Sequence, residues 1–125
     1  MAYQYTMTEQ GDFLRVEVSG KREAERTVSD TIAFWQAILN ESNANNRNNI
    51  LAIFRVTGKR SLMETFDIVE ALQGLIRDDI KIAYVETIPE NRAETSIIGT
   101  TARMHGIAFQ AFDNEAEASE WLTIQ

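Results

Sequence analysis

Hydrophobic positions run unbroken from Ile50 to Phe54 and resume at Val56, a segment (Ile-Leu-Ala-Ile-Phe-Arg-Val) that reads as a strand. A short basic turn, Thr57-Gly58-Lys59-Arg60, follows it. Ser61-Leu62-Met63-Glu64 then opens an amphipathic stretch reaching Ile76, with Leu62, Phe66, Val69, Leu72 and Ile76 in one stripe and Ile68 and Leu75 along its flank. Strand, turn and helix in this order form the repeating unit of an α/β sheet, whose strand-to-helix turns are where such sheets place ligands or regulatory contacts.

The other segments extend this unit in both directions. Residues 3–7 alternate weakly, and residues 13–18 alternate well, with Leu14, Val16 and Val18 set against Arg15 and Glu17. Residues 8–12 have the length and glycine of a hairpin loop, which predicts an antiparallel, half-exposed pair. A charged connector from Lys21 to Arg26 leads to a helix carrying Val28, Ile32, Trp35, Ile38 and Leu39, with Thr27 or Ser29 as its cap. Asparagines at 40, 43, 45, 46, 48 and 49 predict a connecting loop over residues 40–49. After the polar break at Arg77-Asp78-Asp79, residues 80–85 form a fourth strand. Pro89 reads as a turn or first helical position, and Ala93, Ile97, Thr100 or Thr101, and Met104 supply the inner face of a third helix that stops at Gly106. A last strand over 107–112 passes through Asp113-Asn114 into a helix that docks by Ala118, Trp121 and Leu122. The order is ββαβαβαβα. It predicts a mixed, mainly parallel five-stranded sheet with helices packed on it and an antiparallel margin at the first hairpin.

Composition narrows the partners. The 125 residues suit a single domain spanning 1–125. There is no cysteine, so disulfides, thiol catalysis and thiolate metal sites are excluded. The N-terminal residues carry neither the basic nor the apolar region of a secretory signal, and no apolar run approaches the roughly 20 residues of a transmembrane segment. A cytoplasmic location is the expectation. The net charge of −7, from 12 basic and 19 acidic side chains, argues against nucleic acid as a partner. Asp113, Glu115, Glu117 and Glu120 read as a solvated helix face.

Candidate chemistry is sparse. Ser61 and Glu64 match a capping box. The turn before them lacks the upstream glycine of a phosphate loop, and Arg60 separates Lys59 from Ser61, which excludes nucleotide hydrolysis by that motif. A small anion or an acidic partner group, held by Lys59, Arg60 and the amides at the helix start, fits the pattern better. Arg55 and Thr57, with Glu86, Thr87 and Arg92 across the next strand end, join the same sheet edge as regulatory or partner-binding candidates. His105 is the single histidine, so a two-histidine metal site is impossible within one chain, and its place beside Gly106 suits a helix-end cap. There is no nucleophile elbow and no cofactor motif. The aromatic set Phe34, Trp35, Phe54, Phe66, Phe109, Phe112 and Trp121 reads as core first and as a ligand cage second.

The segments Lys81-Ile82-Ala83-Tyr84-Val85, Ala108-Phe109-Gln110-Ala111-Phe112-Asp113 and Glu115-Ala116-Glu117-Ala118-Ser119-Glu120-Trp121-Leu122 resemble the SpoIIAA-like family, related in fold to the STAS domains of anti-sigma-factor antagonists and sulfate-transporter tails. The resemblance implies a STAS-like architecture over most of the chain. In the antagonist branch a serine at the start of the second helix is phosphorylated and controls partner binding; its positional counterpart is Ser61. The Asp-Ser-Ser-Gly signature of that branch is replaced here by Gly58-Lys59-Arg60-Ser61-Leu62. Related lipid-transfer domains imply an apolar pocket instead.

Two expectations follow. The first is a non-enzymatic, cytoplasmic module that works through a protein partner or as a homodimer. The second is a carrier or sensor of a small apolar or lipid-like ligand, enclosed between the sheet and helices one to three. A large cavity there favours carriage, whereas space filled by Phe66, Ile97 and Met104 favours contacts.

Overall fold

Alternation in the first two apolar segments produces a hairpin. In the computed structural model, which describes residues 3–23, 27–58 and 61–124, β1 (Tyr3–Gln10) and β2 (Phe13–Lys21) pair antiparallel from Tyr3↔Gly20 to Gln10↔Phe13. The connection is the two residues Gly11 and Asp12, shorter than the five-residue loop expected. Gly11, at φ 61°, supplies the left-handed backbone that so tight a turn demands, so Thr8 and Glu9 stay in the ladder.

Each later strand adds beside the one before it. β3 (Asn49–Thr57) runs parallel to β2, β4 (Lys81–Glu86) parallel to β3, and β5 (Ala108–Phe112) parallel to β4, giving the order β1-β2-β3-β4-β5. The connections are α1 (Thr27–Ala44), α2 (Leu62–Gln73) and α3 (Arg92–Met104), the last entered through a 3₁₀ turn at Pro89–Asn91. α4 (Glu115–Thr123) is the last described element.

The sheet is buried from two sides. α1, α2 and α3 cover one face, where Phe34, Trp35, Ile38, Ile68, Val69, Leu72, Ile98 and Ala102 meet Val16, Val18, Ile50, Phe54, Ile82, Tyr84 and Phe109. α4 covers part of the other, packing Ala118 and Leu122 on Leu51, Ile53, Ala83 and Val85. Because successive strand residues point to opposite faces, both faces of β3 are consumed, and its hydrophobic run is nearly continuous for that reason. Phe34 is the hub on the three-helix side, edge-on to Tyr3, Tyr5, Trp35 and Phe54, and Phe54 stacks on Tyr84 with centroids 4.2 Å apart.

Two further local expectations are corrected. α1 runs on through Asn40 and Asn43 to Ala44, leaving only residues 45–48 as the loop. Here Ser42 donates to the Arg47 carbonyl and Asn45 to the Glu41 carbonyl, so polar side chains end the helix at a point their composition does not mark; Asn46 takes the left-handed turn at φ 55°. The phase of α3 also differs. Thr95, Ile98, Gly99 and Ala102 face inward, whereas Ile97 and Met104 stand in solvent, Met104 at 80% exposure. The small inward residues let the helix sit low on the sheet: a Cβ at Gly99 would lie 3.7 Å from the Phe109 ring.

Candidate functional site

The carboxyl ends of β3 and β4, where a parallel sheet presents its ligands, are the first place to look. They are closed by polar side chains. Glu86, 1% exposed, accepts from Thr95 Oγ1 at 2.8 Å and from the Ile88 amide at 3.3 Å. The Thr87 hydroxyl donates to the Phe54 carbonyl at 2.6 Å, and Asn91 Nδ2 to the Val56 carbonyl at 3.1 Å. These bonds fasten the two strand ends to the entry of α3. Arg22 completes the closure: it is buried, its amide donates to the Thr57 carbonyl, its Nη1 donates to the Gly58 carbonyl at 2.8 Å, and Glu94 lies 3.9 Å from the same nitrogen. Gly58, at φ 90°, is where this approach requires a bare Cα, since a Cβ there would come within 3.3 Å of Arg22.

Among the described residues, the expected site residues therefore do not converge. Arg55 lies on the α4 side of the sheet, 3.3 Å from Glu17, and Thr57 donates to the Gly20 carbonyl at 3.3 Å. Arg92 is 3.4 Å from Asp113. Lys59 and Arg60 lie outside the described residues. Ser61 takes its expected place: its Oγ accepts from the Glu64 amide at 3.1 Å while the Glu64 carboxylate accepts from the Ser61 amide at 2.7 Å, a complete capping box. His105 also caps, with Nδ1 2.9 Å from the Thr101 carbonyl. Arg22 was not singled out as a site residue, because a lone arginine in a charged connector carries no signal of burial.

The helical face offers a different arrangement. α2 packs between α1 and α3, and its Leu75 end lines a groove with Gln36, Leu39 and Asn40 of α1. Leu62 and Phe66, by contrast, are exposed on α2. The flank of α3 on the β5 side is marked by Ser96 and Arg103, beside Gln110 and Ala111, and Ile97 and Met104 stand off that flank, exposed on the outer side of the helix. Leu62, Phe66, Ile97 and Met104, with the 68%-exposed Met63, thus stand exposed on two adjoining helices, α2 and α3, on either side of the seam where they meet. The charges on α2 itself are all acidic. The helix carries Glu64, Asp67 and Glu70 and no Lys or Arg, whereas α3 carries Arg92 at its start and Arg103 in its last turn.

Beneath the seam is an apolar cavity of about 30 Å³, lined among others by Trp35, Ile68, Leu72, Tyr84, Ile98 and Phe109. It is the space expected between the sheet and helices one to three. Phe66, Ile97 and Met104 do not fill it, because all three point outward. Among the described residues there is no cluster of acidic, histidine or cysteine side chains able to hold a metal ion, and no helix is long and apolar enough to cross a membrane.

No protein-family model matches the chain, and no curated protein matches it in sequence. Among solved structures it is similar to the crystal structure of an uncharacterized protein of the DUF3478 family from Shewanella loihica PV-4, described as having a SpoIIAA-like fold. The two are 13% identical, the match covers 97% of this chain and 93% of that one, and the TM-score is 0.54. With one antiparallel pair, three parallel pairings and four helices in the expected order, this chain has the SpoIIAA-like α/β fold that its last two strands and final helix resemble.

Proposed function

We propose that this domain catalyses no reaction and acts as a regulatory protein-contact module, whose contact face is the seam between α2 and α3. The observation that carries the reading is the set Leu62, Met63, Phe66, Ile97 and Met104: large apolar side chains held out to solvent on two adjoining helices. Methionine is suited to such a face because its flexible thioether adapts to a partner's contours. The acidic border on α2 selects a partner whose apolar surface is rimmed by Lys or Arg. The capping box at Ser61 holds the start of this face in helical form, which makes Ser61 a suitable place for a phosphate to alter docking.

The apolar cavity supports a second reading, the binding of a small apolar ligand. Its volume weighs against carriage in this conformation: about 30 Å³ is far below the ~150 Å³ of an engineered cavity that admits benzene.

A photo-crosslinking amino acid placed at 66 or at 104, in the cells the gene comes from, tests the first reading. A discrete adduct with another protein is expected at both positions, absent with the crosslinker at Asp12 on the hairpin turn and lost when Met63→Glu is added. Absence of a protein adduct at 66 and 104 overturns it. A small apolar molecule released from native protein in mass spectrometry establishes the second reading instead.

A further inference from the structure

The first strand is a free sheet edge of eight residues, and no described strand lies beyond it. Long edges are ordinarily blunted by proline, lysine, a bulge or a covering element. β1, Tyr-Gln-Tyr-Thr-Met-Thr-Glu-Gln, contains neither proline nor lysine, and its pairing with β2 runs residue for residue without a bulge. Its one charge, Glu9, lies 4.0 Å from Arg47. On the three-helix face Tyr5 and Met7 are only half buried, packed against the core on one side and open on the other.

We infer that β1 is the contact of a twofold-symmetric dimer, in which the β1 strands of two copies pair antiparallel and join the sheets into one of ten strands. The sequence is complementary to itself in the register centred on Thr6. An antiparallel pair sets side chains of the same face opposite one another. With Thr6 facing Thr6, Tyr5 of each copy faces the partner's Met7, and Gln4 faces the partner's Thr8. The tyrosine–methionine pair covers the two half-buried side chains from their open side, a favourable ring-to-sulfur contact made twice. The threonine and glutamine pairs on the other face are the hydrogen-bonding kind found across strands. No like charges meet in this register, because Glu9 falls opposite the partner's Tyr3. A closed twofold pairing also uses up both free β1 edges, so this contact does not propagate beyond two copies. The surface is at the opposite end of the sheet from α3 and does not depend on the seam.

The test is the mass of the native chain by sedimentation across a concentration series, with two variants at the exposed Thr6. The native chain is expected at twice its monomer mass. Thr6→Lys sets two ammonium groups against each other on the axis and is expected to raise the dissociation constant at least tenfold with unchanged circular dichroism. Thr6→Cys introduces the only cysteine of the chain. Directly opposed strand residues lie ~4.5–5.5 Å apart between Cα atoms, within the reach of a disulfide, so mild oxidation is expected to give a covalent dimer, whereas Met63→Cys gives none under the same conditions. A native chain that stays monomeric at all concentrations overturns the inference. So does a dimer that Thr6→Lys leaves intact, or one that Thr6→Cys does not cross-link.

Discussion

Arg15 on β2 grips Glu115 at the start of α4 with two parallel hydrogen bonds, Nε to Oε2 at 2.8 Å and Nη2 to Oε1 at 2.9 Å. The partners are 100 residues apart in the chain, so the bond closes the last helix onto the second strand. The bond to Arg15 is the main reason that the Glu115 carboxyl is held below its ordinary value of 4.5, and the same guanidinium lowers Glu17. Because both carboxyls are lowered by folding, their contribution is present above the unfolded value and is lost as pH falls through the folded values. Stability is expected to decline below about pH 4.5, and Glu115→Gln to flatten that decline in urea melts taken from pH 3 to 7. Both groups are partly exposed, so the change is expected to be no more than about 1 kcal/mol.

Removing the α2 cap tests the link between a local bond and the proposed contact face. Ser61→Ala is expected to cost about 1 kcal/mol in chemical denaturation and to speed amide exchange in the first turn of α2, while Ser61→Asp, another good cap, stays close to the native value.

Neighbouring isoleucines on α3 test its phase. Ile98 sits under the helix and Ile97 on its exposed side. Ile98→Ala is expected to lose about 2–4 kcal/mol, and Ile97→Ala no more than about 0.5 kcal/mol, by equilibrium unfolding. Equal losses at the two positions contradict the phase described.

Phe66 separates stability from contact. Phe66→Ser is expected to shift the unfolding midpoint little, because the ring is already partly in water, yet to abolish the protein adduct formed with the crosslinker at 104. A loss of several kcal/mol instead places Phe66 in the core.

Most of the architecture was legible because strands and helices declare themselves by period. The run at Ile50 and the Ser61–Glu64 cap mark β3 and α2 correctly, and the strand–helix alternation predicts the parallel pairings. Periodicity was a poorer guide to which of two adjacent residues faces inward. On α3 the large side chains Ile97 and Met104 outweigh Gly99 and Ala102 on any hydrophobic scale, whereas packing favours the small residues that let helix and sheet approach. On α2, Ile68 was read as flank and proves buried, while Leu62 and Phe66 lie outside. The burial of Arg22 and Glu86 was hidden for another reason: it depends on partners at Gly58 and Thr95, which adjoin them only once the sheet has formed. Apolar residues displaced from the expected core became the face proposed for contact.

The neighbour-by-neighbour strand order gives the chain a direction of growth. As it emerges from the ribosome, every new strand finds its template already in place, and closing each crossover spans only a few tens of residues, a topology that favours rapid assembly. The lid over Leu51, Ile53 and Val85 is synthesised after all five strands, so until Glu115–Thr123 is free to fold, the nascent sheet carries an uncovered greasy surface. A chain stalled near Asp113 is consequently the species most in need of a chaperone.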